Sequence, residues 1–249
     1  MAMRFEGKAT VVTGAASGMG LETARQMAAE GAHVYMVDVN GETLSARAAE
    51  ITAAGGRAVA CVCDVRKYED IEAVVERCVR EEGRVDIVIN FAGGAPTRVF
   101  GLKDSQFIHE PIDVIDWGIA VNFRAPMLFA RAAMEHMMAQ KQGVIINIGS
   151  VAGETGGNVD YAAEKSGLMY GLTKALASIG APHGVRCCAV SPGPVLTRPA
   201  MANMKTALGR AAEPIEVVRL VMYLCSDDAA FITGTNYLID GGRVLLNNC

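Results

Sequence analysis

No run of 18 uncharged apolar residues occurs in the 249-residue chain, so no segment reads as a membrane-spanning helix. The start, MAMRFEGKATVVTG, has no apolar stretch leading to a small-residue cleavage site, so no secretory leader is expected. Lys and Arg form no cluster: 23 basic residues face 27 acidic ones, for a net charge of -4. That balance speaks against a nucleic-acid binder and against a membrane-surface helix. His33, His109, His136 and His183 form neither H-x-x-x-H nor H-E-x-x-H, and the cysteines show no zinc spacing, so no metal is expected. The G-x-S-x-G elbow of a hydrolase is absent. The seven cysteines are an odd number without framework spacing, which points to a reducing compartment and a soluble cytoplasmic protein. Cys61, Cys63, Cys78, Cys187, Cys188 and Cys225 read as small apolar filler, and the terminal Cys249 as an exposed thiol.

What is present is regular. Hydrophobic residues make up 51% and charged residues 20%, ordinary globular usage. Short apolar runs at 9–13, 33–37, 57–63, 85–90, 143–148, 185–191 and 235–240 read as strands. Amphipathic stretches at 18–30, 42–54, 67–82, 113–140, 161–179 and 213–226 read as helices between them. Strands apolar throughout, alternating with helices, predict a parallel sheet covered on both faces. The expected fold is therefore α/β, a doubly wound parallel sheet of about seven strands. No linker, repeat or low-complexity tract divides the chain, so a single domain over 1–249 is expected. Residues 93–112 and 192–209 suit neither element. Both follow strand carboxyl ends, where open parallel sheets bind ligands, and they are read as substrate loops.

The first strand runs into Thr13-Gly14-Ala15-Ala16-Ser17-Gly18-Met19-Gly20 and then a helix. Gly14 permits a sharp turn, Gly18 lets backbone approach a pyrophosphate, and Gly20 lets the helix pack on the sheet. The N–H groups at the helix start then face the anion. The spacing is G-x-x-x-G-x-G rather than G-x-G-x-x-G. Asp38, 24 residues past Gly14, ends the second strand, where a carboxylate accepts both ribose hydroxyls of an adenosine and repels a 2′-phosphate. Ser17 and Val39 beside it bring no positive charge, so NAD is expected over NADP. Asp64, before Val65, reads equally as an acceptor for an adenine amino group and as a helix N-cap.

Tyr161 and Lys165 lie four apart on a predicted helix and share a face. A phenol titrates near pH 10, and an ammonium one turn away lowers that value, suiting the phenol to general acid/base work. Ser150 follows the fifth strand, where its hydroxyl suits a carbonyl oxygen gaining alkoxide character.

TGAASGMG, Asp38, Asp64-Val65, Asn90-x-Ala92-Gly93, Asn122, NIGS ending at Ser150, Tyr161-x-x-x-Lys165 and Ser191-Pro192-Gly193 stand in an order that resembles the short-chain dehydrogenase/reductase family. The likeness runs from about Gly7 to Gly242. It implies a Rossmann-like fold, with Tyr161 as catalytic acid/base and Lys165 on the nicotinamide ribose. It implies that Ser150 positions the substrate oxygen and that Asn122 holds a water in the proton relay. Asn90 and Gly93 resemble the fourth-strand motif that supports the cofactor. Pro192 and Gly193 resemble the nicotinamide-side loop, Thr197 the carboxamide contact, and Ile148 and Val195 the pocket lining. The family usually forms a homotetramer.

Three positions depart from the family pattern. Phe91 replaces the second asparagine of N-N-A-G, a change expected in packing rather than chemistry. Gly149 replaces a serine, and Ser150 precedes Tyr161 by only 11 residues. Glu164 stands where a serine commonly precedes the lysine, either facing a subunit interface or perturbing Lys165. Met201 and Met204 suggest an adaptable apolar lid, with Val99, Phe100, Phe107 and Ile108 on the other loop beside Lys103, Asp104 and His109. The expected activity is hydride transfer between NAD(H) and a secondary alcohol or ketone. A cyclic or hydroxysteroid-like alcohol and a polyol both fit. A 3-oxoacyl thioester reductase is the alternative, and a nucleotide-binding regulator without chemistry is a third reading.

Overall fold

Seven apolar runs become strands β1 (Ala9–Thr13), β2 (His33–Asp38), β3 (Arg57–Val62), β4 (Ile87–Asn90), β5 (Gly143–Ile148), β6 (Val185–Pro192) and β7 (Asn236–Ile239) in the computed structural model. The structure describes residues 3–102 and 107–248. Lys103, Asp104 and Cys249 lie outside the described residues. The strands form one parallel sheet in the order β3-β2-β1-β4-β5-β6-β7. The chain winds from β1 outward to β3, then returns beside β1 as β4 and winds the other way. Loops leaving β1 and β4 therefore diverge, and a crevice opens at their carboxyl ends.

Period-2 alternation sends neighbouring residues to opposite faces. Val12, Ile89 and Ile146 pack on one side beneath α1 (Gly18–Ala29), α2 (Gly41–Ala53) and α10 (Pro214–Cys225). Val11, Val88 and Ile145 pack on the other beneath α3 (Tyr68–Glu82), α6 (Ala125–Gln140) and α9 (Thr173–Gly180). Each such side chain taken out of water contributes about 1.5–3 kcal/mol. Cys61, Cys63, Cys78, Cys187, Cys188 and Cys225 are free and buried within these layers, and burial pushes their thiols up.

Element ends agree with the sequence reading to within two residues, apart from the two longest helices. The stretch 113–140 is α5 (Ile112–Gly118), a wide π turn (Ile119–Arg124) and α6. The stretch 161–179 is α8 (Val159–Ser166), a second π turn (Gly167–Leu172) and α9. One extra residue per turn leaves the apolar repetition continuous, so sequence periodicity passes over it. The two wide turns touch: a Cβ added at Gly167 would lie 3.2 Å from the Phe123 ring. The irregular loops carry α4 (Pro96–Val99) and α7 (Ala152–Thr155), with 3₁₀ turns at Phe107–His109 and Pro199–Asn203. Among the described residues no helix is long and apolar enough to cross a membrane.

Candidate active site

The crevice is a cleft of about 870 Å³ running from Asp38 to Met204. At one end Gly14 turns the chain at φ +65°, and a Cβ there would lie 2.9 Å from the Ala92 nitrogen. Ala92 N–H donates to Thr13 Oγ1 at 2.9 Å, which ties the β1 and β4 loops together. A Cβ at Gly20 would run into the Gly14 carbonyl oxygen, so α1 sits closer to the turn than alanine allows. Ser17 caps α1 without a side-chain hydrogen bond, and the first-turn N–H groups are left to face the cleft. Gly18 and Met19 line it there. Asp38 is held on both oxygens: Ala16 N–H donates to Oδ2 at 3.1 Å and Asn40 N–H to Oδ1 at 3.0 Å.

Asp64 and Val65 also line the cleft, and of the two readings of Asp64 the helix cap needs correction. Arg66 grips both Asp64 oxygens, with Nη2 at 2.6 Å, and holds the carboxyl below its usual range. The N-cap of α3 is Lys67. Asp64 is thus not the cap, while its carboxylate, bordering the cleft with Arg66 bound to it, keeps acceptor sites of the kind an adenine amino group needs. Asn90 sits behind the cleft wall, where its amide donates to Asn147 Oδ1 at 2.9 Å. Asn147 in turn donates to Thr173 Oγ1 at 3.1 Å, so a buried polar chain runs from β4 through β5 to α9.

At the other end Tyr161 of α8 and Ser150 after β5 come within hydrogen-bonding reach. The short 11-residue span suffices because α7 and the Gly156-Gly157 turn, at φ +78° and +128°, fold the path back. Lys165 is buried, lies 5.7 Å from the Tyr161 ring centre, and donates to the Ile148 carbonyl at 2.8 Å. Burial pushes its ammonium down to about 8. The phenol was expected to titrate low beside the lysine. Here burial pushes it up, while Ser150, Arg98 and Arg198 pull it down. Gly93, Pro192, Gly193 and Val195 line this end. Thr197 reaches across the cleft, 3.6 Å from where a Gly18 Cβ would lie.

Asn122 lies in the first π turn and does not border the cleft. Its Oδ1 accepts from Gly94 N–H at 2.9 Å, and its amide donates to Gly94 O at 3.0 Å and to Glu164 Oε2 at 2.8 Å. Glu164 accordingly points inward, away from any subunit face, and only 5% of it is exposed. α5 presses on it, since a Cβ at Gly118 would meet Glu164 Oε1. Buried Asp160 and Glu110 continue the line, and no donor reaches Asp160 or Glu164 Oε1 among the described residues. Carboxyl groups packed this way cannot all ionise. Burial and Asp160 push Glu110 up, and burial, with Asp160 adding, pushes Glu164 to about 7. Of these three acids only Glu164 left a mark in the sequence, as a departure from the family pattern.

Arg98 and Arg198 also line the cleft and were passed over, although both fall in the two irregular segments. His109 is exposed and does not border the cleft. Phe91 packs against the α1-side core, as its replacement of asparagine suggested. Gly149 has a steric reason: a Cβ there would meet Ser191 Oγ, and Met169 Cγ at 2.6 Å. Gly149→Ser should therefore lower unfolding stability by about 1–3 kcal/mol through overpacking, read from the urea midpoint. An unchanged midpoint would mean that Met169 yields without cost.

The chain matches, over residues 14–243, the family whose description reads "Enoyl-(Acyl carrier protein) reductase". It is 34% identical to the 3-oxoacyl-(acyl-carrier-protein) reductase of Thermotoga maritima over 98% of this chain and 100% of that one. It is 36% identical to the meso-2,3-butanediol dehydrogenase of Serratia marcescens over 96% of each. A crystal structure described as a short-chain type dehydrogenase/reductase from Mycobacterium marinum superposes with a TM-score of 0.88 at 30% identity, covering 97% of both chains.

Proposed function

Since the chain belongs to the short-chain dehydrogenase/reductase family of oxidoreductases, we propose that it is an NAD-dependent dehydrogenase interconverting a secondary alcohol and a ketone. The observation that carries this reading is the Tyr161 phenol beside Ser150 at the closed end of the cleft, with Lys165 behind it. The residues present fit a dinucleotide: Gly14 and Gly20 stand where a Cβ would clash, and the α1 N-terminus opens toward the cleft. A nicotinamide cofactor supplies the hydride chemistry when bound.

The chain's own residues do the rest. Tyr161, as phenolate, takes the hydroxyl proton during oxidation and returns it during reduction. Ser150 hydrogen-bonds the substrate oxygen as its charge changes. The Lys165 ammonium stabilises the phenolate and binds the nicotinamide ribose. Asn122 fixes the Gly94 backbone and Glu164, and acts through them as a positioning residue. Gly93, Pro192, Gly193, Val195 and Thr197 shape the nicotinamide side. Exposed Ile112, Ile119 and Met127 along α5 to α6 support a homotetramer, and the free cysteines support a cytoplasmic setting.

Asp38 carries the preference for NAD, because its anchored carboxylate stands where a 2′-phosphate would go. NADH formation from a panel of alcohols should favour NAD over NADP by roughly 100-fold, the size of a like-charge penalty. Asp38→Asn should narrow that ratio. Preference for NADP in the native protein would sink the assignment. The Thermotoga maritima relative favours a second reading, reduction of 3-oxoacyl thioesters. Turnover of thioesters only, with NADPH, would decide for it.

A further inference from the structure

Besides the Lys165 ammonium behind Tyr161, the catalytic end of the cleft is lined by two arginines and, among the described residues, by no carboxylate. Arg98 ends α4 on the loop after β4, and Arg198 precedes the 3₁₀ turn on the loop after β6. Both line the cleft beside Tyr161. The Arg98 guanidinium lies over the backbone at Gly94, its Nη2 2.5 Å from where a Gly94 Cβ would be. On the other loop, Arg198 Nη2 donates to the Met201 sulfur at 3.8 Å, its one hydrogen bond among the described residues. Among the described residues neither arginine has a carboxylate partner. The cleft's two acids, Asp38 and Asp64, stand at the nucleotide end, where Asp64 is already gripped by Arg66.

Several arginines elsewhere pair with carboxylates: Arg4 with Glu30, Arg25 and Arg47 with Glu50, Arg77 with Glu81, Arg210 with Glu216. The two cleft arginines instead line one space from different loops, and burial together with the Arg98 charge lowers the Arg198 guanidinium from its usual value. Like charges brought together without an intervening anion raise the energy of the site. The walls around them, Val99, Trp117, Met201 and Met204, are mostly apolar and strengthen any charge interaction made there. A guanidinium fork matches a carboxylate in plane and spacing, and two forks on opposite lips can grip one from both sides.

We propose that the substrate is a carboxylate-bearing secondary alcohol or its oxo acid, its carboxylate held between Arg98 and Arg198 while its hydroxyl meets Tyr161 and Ser150. This rests on the dehydrogenase reading above and narrows its substrate class. The loops on the two sides of the cleft each supply one arm, so the acid bridges them. The chemistry stays balanced as before: the hydroxyl proton goes to Tyr161 and the hydride to the cofactor, and the carboxylate is unchanged.

The test pairs hydroxy acids with their methyl esters, for example 3-hydroxybutyrate and hydroxycyclohexanecarboxylates, in the NAD-coupled assay. The native protein should favour the acid over its ester in kcat/KM. Arg98→Gln and Arg198→Gln should each cut that acid-to-ester ratio by about 10–100-fold, the worth of one charge-assisted hydrogen bond. NADH affinity, read by fluorescence titration, should hardly move. If the variants weaken NADH instead, the arginines serve the cofactor pyrophosphate and the proposal is overturned. Ester or neutral-alcohol turnover above that of every acid would also overturn it, with the dehydrogenase reading left standing. With no turnover of any alcohol, binding of the oxo acids to the NADH complex still decides. Quenching of NADH fluorescence by the acids, lost in both variants, would support the anion site while the dehydrogenase reading fails. No quenching by any acid would overturn the proposal.

Discussion

Tyr161→Phe should lower turnover by roughly 10²–10⁴-fold, the usual worth of a positioned general acid/base, with NADH binding nearly unchanged. The phenylalanine ring keeps the same volume beside Lys165, so the nucleotide end of the cleft is undisturbed. What is removed is the oxygen within reach of Ser150. The proton of the alcohol then has no acceptor at that point, and the loss falls on kcat rather than on KM. The measurement is steady-state kcat with the best alcohol, paired with a fluorescence titration of NADH. Retention of more than about a tenth of native turnover would remove Tyr161 from the mechanism.

Lys165→Met should lower turnover by roughly 10²-fold, again within the range of acid/base assistance, and the pH dependence shows why. The buried ammonium is held down to about 8, so it is present below that pH and lost as pH rises through it. Oxidation needs the ammonium to favour the phenolate, so the native rate should fall above about pH 8. Glu164 is the anion that raises Lys165, and its own carboxyl sits at about 7. Below pH 7 Glu164 is neutral, and Glu164→Gln should behave like the native protein. Above pH 7 the native carboxylate supports the ammonium and the variant does not, so the variant's alkaline limb should move to lower pH. Asp160 and Glu110 face Glu164 from α8 and the loop before α5, and Asn122 donates to it from the π turn. Superimposable alkaline limbs would show that Glu164 leaves the lysine alone.

Much of the fold was legible because each strand is a short, mostly apolar run and most are rich in Val, Ile, Ala or Cys. The doubly wound parallel sheet follows from that pattern, while the strand order came only with the structure. Tyr161 and Lys165 were legible by spacing, and Ser150 by its place at a strand end. The cap reading of Asp64 failed because α3 starts after Lys67, and the Arg66 contact two residues on has no signature in helix or strand periodicity. Arg98 and Arg198 are brought together only by loops leaving different strands. Glu110, Asp160 and Glu164 meet because the loop before α5 folds against α8, a contact with no short-range signature. Sequence spacing finds groups that share one element. It is blind to groups that share only a space.

The two π turns bear on how this chain tolerates changes of length. Each one is in effect a regular helix with a residue too many, and the first lies just where the Asn122 side chain must face inward. Deleting one residue from Ile119–Arg124 would let the segment relax into ordinary helix. Everything on one side of the cut would then rotate by about 100° against the other. Asn122 would leave Gly94 and Glu164, while the apolar face of α6 would still be long enough to pack. A gain or loss of a single codon there would spare the sheet and disconnect the groups behind the cleft. The same change in the loop at 199–209, which closes on itself through the Val195 to Ala212 bridge, would alter only the lid. Descendants of this sequence should therefore vary in length at the lid and hold their length at the π turns.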